Sequence, residues 1–215
     1  MDPKITWFAQ SAFRIEHGGI TIYVDPFKIP DGEPPADVLL LTHDHGDHLS
    51  PDDIAKVRNE QTTVIAGPVV TDKIDQPFTE LSPGQTTTVG KLNVRAVPAY
   101  TTSKFRDSGE ATHPKEAQHV GYLFEIDDLS FYFIGDSDVI PEMKEIGPVD
   151  YAFIPVSGVF VMTAEEAAEA ASIIQPSVAI PCHYGVVVGS EDDAKRFADL
   201  VPEQVRVWIM EPVSS

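Results

Sequence analysis

The sequence predicts an α+β fold in which two β-sheets pack together and helices cover their outer faces. Short runs of β-branched and aromatic residues dominate the first half of the chain. Gly, Pro or polar residues separate these runs, as in hairpins and meanders. Two longer segments in the second half have helical patterns that begin with capping-box residues. The 215 residues, of which 42% are apolar, are enough to bury a core, and we expect one domain over residues 1–215.

Each predicted element is an apolar run bounded by turn residues. The predicted strands are residues 5–8, 12–15, 20–24, 38–41, 62–66, 92–97, 120–126, 131–134, 151–155, 177–180 and 204–209. The predicted helices are residues 51–58, 163–174 and 190–200. Residues 98–118 are long, polar and without periodicity, and loops of this length in compact domains are usually functional or disordered.

The composition excludes several classes of protein. Fifteen Lys and Arg against 34 Asp and Glu give a net charge of −19, which repels polyphosphate backbones, so we expect no nucleic acid partner. A single cysteine excludes a disulfide framework and a zinc site built on several thiolates. The chain has neither a signal-peptide pattern nor an apolar run of about 18 residues, so we expect a cytoplasmic protein without a membrane partner. Homo-oligomerisation stays open.

A cluster of metal-binding residue types follows the predicted strand 38–41. His43, His45 and His48 lie within six residues, together with Asp44 and Asp47. Imidazole nitrogens and carboxylate oxygens are ligands for zinc, iron or manganese. The spacing offers two histidines to one ion and an Asp-His pair to a neighbouring ion. A solvated polar turn is the alternative, but such turns rarely concentrate three histidines.

The segment THDHGDH at residues 42–48 resembles the signature of the metallo-β-lactamase fold superfamily. Three further segments resemble its other motifs: IYVDPF at 22–27, FIGDSD at 133–138 and PCHYG at 181–185. The chain is most similar to the small stand-alone hydrolases of the superfamily, the branch that contains ascorbate-6-phosphate lactonase. The resemblance implies a four-layer αββα sandwich and an enzyme.

The resemblance also implies a site for two divalent metal ions. The implied ligands are His43 and His45 for the first ion, Asp47, His48 and His183 for the second, and Asp136 as the bridge between them. Zn²⁺ is the first expectation, with Mn²⁺ or Fe²⁺ as alternatives. The sequence independently supports Asp136, because it follows a strongly apolar strand that would hold a carboxylate rigidly. We expect Asp25 to accept a hydrogen bond from the far nitrogen of a ligand imidazole.

The chain departs from the superfamily pattern at two places. The third histidine of the first ion is expected at the end of a central strand, where this chain has Tyr100. Either the ion lacks that ligand or the following loop supplies His113 or His119. We prefer His113, because His119 begins a predicted strand. Gln10 stands where relatives commonly have a histidine near the substrate.

These residues predict a hydrolase in which a metal-bridging hydroxide attacks a small anionic ester, lactone or phosphodiester. Asp47 would orient the nucleophile or accept its proton, and Tyr100 would donate a hydrogen bond to the oxyanion. Lys104, Arg106 and Lys115 could receive the anionic group of the substrate, or they could simply be solubilising charges. The alternatives are a nuclease of the same fold and a non-catalytic metal-binding or interaction module.

Overall fold

The computed structural model describes residues 2–213, so that three residues of the predicted domain (Met1, Ser214 and Ser215) lie outside the described residues. The strands of the first sheet are β1 (Lys4–Ala9), β2 (Ala12–His17), β3 (Ile20–Val24), β4 (Val38–Leu41), β5 (Thr63–Ala66) and β6 (Thr79–Glu80). Those of the second sheet are β7 (Thr86–Val89), β8 (Leu92–Pro98), β9 (Val120–Ile126), β10 (Leu129–Phe133), β11 (Tyr151–Pro155), β12 (Val178–Cys182) and β13 (Arg206–Val207). The helices are α1 (Pro51–Val57), α2 (Ala164–Ile174) and α3 (Glu191–Leu200).

Both sheets are mixed, and they have the same plan. Neighbouring strands are antiparallel in the first part of each sheet, from β1 to β3 and from β7 to β10. They are parallel in the second part, from β3 to β6 and from β10 to β13. The predicted hairpin pattern therefore holds for only half of each sheet. The parallel halves matter for function, because the carboxyl ends of their strands lie at one edge.

Side chains along each strand of the first sheet point alternately to its two faces, and this alternation separates two apolar layers. Val38 and Leu40 of β4 belong to the large core that fills the space between the sheets, whereas Leu39 and Leu41 belong to a smaller core that includes residues of α1. Successive strand residues point to opposite faces, so a fully apolar strand serves both cores. Rings from β2 and β11 meet across the large core, where the centroids of Phe13 and Phe153 are 4.7 Å apart.

The helices cover the outer faces of the sheets. The side chain of Thr163 accepts a hydrogen bond from the backbone N–H of Glu166, and Glu166 reaches back to the N–H of Thr163, which is the predicted capping box. The large core continues to the outer face of the second sheet, where buried alanines of α2 join it, and Ile54 and Val57 of α1 join the small core. The predicted arrangement of two sheets with outer helices is confirmed. Among residues 2–213, no helix has the length and apolar character needed to cross a bilayer.

The differences from the predicted elements lie at the sheet edges. The predicted strand 204–209 is wrong in extent, since only Arg206–Val207 pairs with β12. The strands β6 and β7 were not predicted, because Thr79–Glu80 and Thr86–Val89 are polar and largely exposed. Edge strands with little buried surface lack the apolar alternation that a sequence pattern requires.

Candidate metal centre

The candidate ligands come from four loops: three lie at the carboxyl ends of parallel strands, and His113 lies in the loop between the antiparallel strands β8 and β9. Residues 42–48 follow β4, Asp136 follows β10 and His183 follows β12. A hydrogen bond of 2.8 Å from the Tyr122 hydroxyl of the second sheet to the Leu41 carbonyl ties the end of β4 to the other sheet. Gly135, with φ +72°, turns the chain just before Asp136, in a conformation that side chains rarely adopt. The two sheets thus bring distant residues to one site.

The first group of candidate ligands contains three histidines and one aspartate. Nδ1 of His45 lies 3.1 Å from Nε2 of His43 and 3.1 Å from Nε2 of His113. Oδ2 of Asp136 lies 3.3 Å from Nε2 of His113, and one ligand atom from each of the four residues lies within 4.8 Å of the others. Ligands about 2.0–2.1 Å from a tetrahedral ion are about 3.3 Å apart, so this spacing fits a metal ion.

The second group contains Asp47, His48 and His183. Oδ2 of Asp47 lies 3.8 Å from Nε2 of His48 and 3.6 Å from Nε2 of His183. The Asp136 carboxylate also reaches this group, since Oδ1 lies 3.2 Å from Nε2 of His48 and Oδ2 lies 3.1 Å from Nε2 of His183. Asp136 therefore contacts both groups and is placed to bridge two ions.

Hydrogen bonds behind two of the histidines fix which nitrogen faces the site. Nδ1 of His48 lies 2.8 Å from Oδ2 of Asp25, and a carboxylate only accepts, so His48 donates from Nδ1. The Thr42 hydroxyl donates to the same Asp25 oxygen over 2.6 Å, so it accepts from Nδ1 of His43 over 3.0 Å. In both rings Nε2 is therefore the nitrogen that faces the site, and imidazole binds metal through this nitrogen when it carries no proton. Asp25 thus has the contact expected of it.

A serine has the same effect at His183. The Ser157 hydroxyl donates to the Val159 carbonyl over 3.3 Å and lies 3.2 Å from Nδ1 of His183. It therefore accepts from Nδ1–H and leaves the Nε2 lone pair of His183 facing the site. Neither Thr42 nor Ser157 was identified from the sequence. Thr42 could have been identified, because it directly precedes the histidine cluster. Ser157 lies in a loop whose sequence contains no such motif.

The electrostatics of the cluster favour a cation. Burial lowers the pKa of His43 well below its usual value and that of His45 to about 4, which keeps both imidazoles neutral. Burial alone would raise the pKa of Asp136, but the imidazoles of His183 and His48 hold it well below its usual range. Burial alone would lower the pKa of His48, but the carboxylates of Asp136 and Asp25 in turn raise it well above its usual value, so positive charge is stabilised at this point of the cluster. Nε2 of His48 and Oδ1 of Asp136 are buried without a hydrogen-bond partner among the described residues. Such groups are costly unless something satisfies them, and a divalent ion between them would do so.

His119 lies beside the ligand groups without joining them. Its ring stacks on the ring of His43, with centroids 5.0 Å apart, and burial lowers its pKa to about 4. Of the two histidines weighed for the first ion, the structure brings His113 and not His119 into the first group. That these side chains bind metal stays a prediction.

The structure removes Tyr100 from the expected substrate contacts, and it favours the second of the two interpretations of Lys104 and Lys115. The Tyr100 hydroxyl donates to Glu142 over 2.9 Å and accepts from Lys115 over 3.2 Å, so it is not free to donate to an oxyanion. Lys115 is also paired with Glu142, and Lys104 is paired with Glu166 over 2.8 Å. These two lysines are structural cations of the loop, because their charges are already neutralised locally.

A cavity of about 300 Å³ opens onto the ligand groups. Its lining residues are His45, Gly46, Asp47, Arg106, Thr112, Asp136, Phe160, His183, Val187 and Val188. Arg106 is the only Lys or Arg in this lining, and its Nη2 lies 3.1 Å from Nε2 of His45. The volume is at the small end of the range for small-molecule sites.

Gln10 positions one wall of this cavity. Its side-chain oxygen accepts hydrogen bonds of 3.0 Å from the backbone N–H groups of Val186 and Val187. Its backbone carbonyl accepts from the N–H of His183 over 2.9 Å. The sequence marked Gln10 only as a departure from the superfamily pattern, whereas the structure assigns it to holding the loop that follows His183.

Comparison with known proteins agrees with this geometry. A family model described as the beta-lactamase superfamily domain matches residues 4–183. The chain is 33% identical to a UPF0173 metal-dependent hydrolase of Methanopyrus kandleri, over 99% of this chain and 98% of that protein. It is 32% identical to one of Lysinibacillus sphaericus, over 92% of each. A solved structure from Parabacteroides distasonis, provisionally assigned as a metal-dependent hydrolase, has a TM-score of 0.87 and 32% identity, covering 98% of this chain and 93% of the other.

The two packed sheets with outer helices and the His/Asp cluster at their edge define a metal-dependent hydrolase with the metallo-β-lactamase fold. The expected fold and superfamily are confirmed. Within that superfamily, the chain belongs to the UPF0173 metal-dependent hydrolases. A non-catalytic metal-binding module is therefore not the favoured interpretation.

Proposed function

We propose that this hydrolase uses two divalent ions, with zinc as the first expectation, to cleave a small anionic ester, lactone or phosphodiester. The position of Asp136 carries the proposal, because its carboxylate contacts both candidate ligand groups within 3.3 Å. His43, His45 and His113 would hold one ion, and Asp47, His48 and His183 the other. When bound, such a pair lowers the pKa of a shared water and polarises the oxygen of the bond to be cleaved.

Asp47 is the residue best placed to handle a proton. Its side chain is 19% exposed, whereas the side chains of His48 and Asp136 are at most 3% exposed, and it lines the cavity. One carboxylate oxygen faces the imidazoles of His48 and His183. The carboxylate can therefore orient the attacking water and accept its proton. Asp136 is placed to fix the separation of the two ligand groups.

Arg106 supports an anionic substrate. It is the only cationic residue in the cavity lining, in a chain of net charge −19. If Nδ1 of His45 binds an ion, the proton of its imidazole lies on Nε2, which then cannot accept from Arg106. The guanidinium and Nε2–H would both be donors at the cavity wall. An anionic oxygen of the substrate would satisfy both of them.

Metal analysis combined with a substrate panel tests this function. Protein purified without chelators should contain about two transition-metal ions per chain, and elemental analysis separates zinc from manganese and iron. It should hydrolyse activated esters, lactones or phosphodiesters and lose that activity on chelation. A His43→Ala/His48→Ala variant should lose both metal and activity, while His17→Ala, which changes a histidine at the end of β2, should keep both. Unchanged metal content in the double variant would refute the site.

We also propose that the chain has no nucleic acid partner. The net charge of −19 makes the general surface repel a phosphate backbone, and a single arginine in the cavity does not provide a backbone-binding groove. Oligonucleotides should therefore not bind at low salt. Salt-dependent binding together with cleavage would instead favour the nuclease alternative.

A further inference from the structure

Five exposed apolar side chains lie on the loops that form the cavity, and two of them, Phe160 and Val187, line it directly. Of the nine large apolar residues that are exposed in the described part of the chain, five lie on three loops that contribute cavity-lining residues. We call these five the apolar rim: Phe105, Val159, Phe160, Val186 and Val187. The other four are Leu200 and three residues near the C-terminus. In so acidic a chain, exposed apolar side chains beside the cavity that contains the ligand groups indicate a binding role.

Phe160 is held in place at some conformational cost. Its side chain is 48% exposed, yet its backbone adopts φ +67°, a region that bulky residues rarely occupy. Its carbonyl accepts a hydrogen bond of 3.2 Å from the Thr112 hydroxyl, which joins this loop to the loop that carries Arg106 and His113. Strained residues of this kind occur mostly at functional sites, and a half-exposed ring gains little from core packing.

A second wall of the cavity is fixed by a buried side chain. Gln10 is fully buried, and its side-chain oxygen fixes the backbone N–H groups of Val186 and Val187. Val187 and Val188 line the same cavity as Phe160, from a separate loop. Both apolar walls are therefore preorganised, which reduces the entropy lost when a ligand binds between them.

We propose that the substrate is amphiphilic, with an aryl or acyl group between Phe160 and the Val187–Val188 wall and an anionic oxygen at Arg106. This inference rests on the proposed function, which puts the bond to be cleaved at the two ligand groups. The cavity of about 300 Å³ limits the apolar group to the size of a ring or a short chain. The anionic oxygen belongs to a carboxylate or to a phosphoryl group, because each offers a pair of acceptor oxygens to the guanidinium.

Direct binding of non-hydrolysable ligand pairs tests this inference without relying on turnover. Titration calorimetry on the metal-loaded protein would compare phenylphosphonate with methylphosphonate, and benzoate with acetate. The phenyl member of at least one pair should bind about tenfold more tightly, from burial of its apolar surface. The pair that shows the larger preference identifies the anionic group. Arg106→Gln should weaken both members of a pair by a similar factor.

Three further variants and one control make the test specific. Phe160→Ser and Val187→Ser, on separate loops, should each reduce the phenyl preference to about twofold or less, and Phe160→Leu should keep most of it. Leu200→Ser is the matched control, because it removes an exposed apolar side chain from α3, outside the rim. Oligomeric state is measured for every variant by light scattering.

The outcomes separate this inference from the proposed function. No phenyl preference in the wild type, or a preference that survives in both serine variants, overturns the inference. So does a wild-type oligomer that dissociates in the rim variants with ligand binding unchanged, because the rim would then be an interface between copies. A phenyl preference without any chelator-sensitive hydrolysis would instead sustain the amphiphile site and reject the proposed hydrolytic substrates.

Discussion

Asp25→Asn tests how hydrogen bonding behind the ligands controls metal affinity. In the structure, Oδ2 of Asp25 accepts hydrogen bonds from Nδ1 of His48 over 2.8 Å and from the Thr42 hydroxyl over 2.6 Å, while Oδ1 accepts from the Thr42 N–H over 2.8 Å. An asparagine that keeps the backbone contact places its NH₂ group against the first two donors. His48 must then move its proton to Nε2 or lose the contact, and either change weakens the ligand.

The expected loss is about 10–100-fold in affinity for the second ion, or about 1.4–2.7 kcal/mol. Competition with a chromophoric chelator would measure it on protein loaded with zinc, since zinc is spectroscopically silent. Asp53→Asn is the matched control, because Asp53 is also a buried carboxylate that accepts backbone hydrogen bonds, from Lys28 over 2.8 Å and Ile29 over 3.1 Å, and it lies outside both ligand groups. An unchanged affinity in Asp25→Asn, or an equal loss in Asp53→Asn, would show that the tautomer argument is wrong.

Four further predictions concern separate parts of the molecule. His113→Ala should lower the metal content from about two ions to about one per chain, whereas His119→Ala should keep it near two; elemental analysis that gave the opposite result would exchange their roles. Tyr100→Phe should change hydrolytic kcat/KM by less than about threefold, because its hydroxyl is bound to a glutamate and a lysine outside the cavity lining. Burial raises the pKa of Asp53, but hydrogen bonds outweigh that effect and leave the pKa below its usual value. The stabilising contribution of Asp53 is therefore present above about pH 4 and is lost as the pH falls through the lowered pKa. Urea unfolding should show a smaller acid-induced loss of stability in Asp53→Asn than in the wild type. Phe153→Ala removes a fully buried ring between the sheets and should reduce the free energy of unfolding by about 3–5 kcal/mol, and a loss under 1 kcal/mol in the same assay would contradict the packing described.

The sequence predicted most clearly the elements that are mostly buried or capped. The strands 20–24, 38–41, 120–126 and 151–155 have the predicted bounds, because an apolar run between turn residues is recorded locally. The polar edge strand Thr86–Val89 has no such apolar run, and it forms only because its backbone hydrogen-bonds to β8. The same limit applies to Tyr100, whose position at a strand end predicted a role at the site but whose hydroxyl is bound by Glu142.

The amino-acid order alone determined the fold class, through the pattern of strands and helices. It also determined the superfamily and most of the candidate ligands, through short motifs with a fixed spacing. Only the tertiary structure decided which atoms of those ligands face each other. His113 and Asp136 are separated by more than twenty positions in the chain, yet their side chains lie 3.3 Å apart, since the path of a loop depends on the two sheets it joins. Contacts between distant segments also decide which nitrogen of each ligand imidazole faces the site, and they place the single arginine in the cavity and form the apolar rim. No local pattern of residues encodes these contacts.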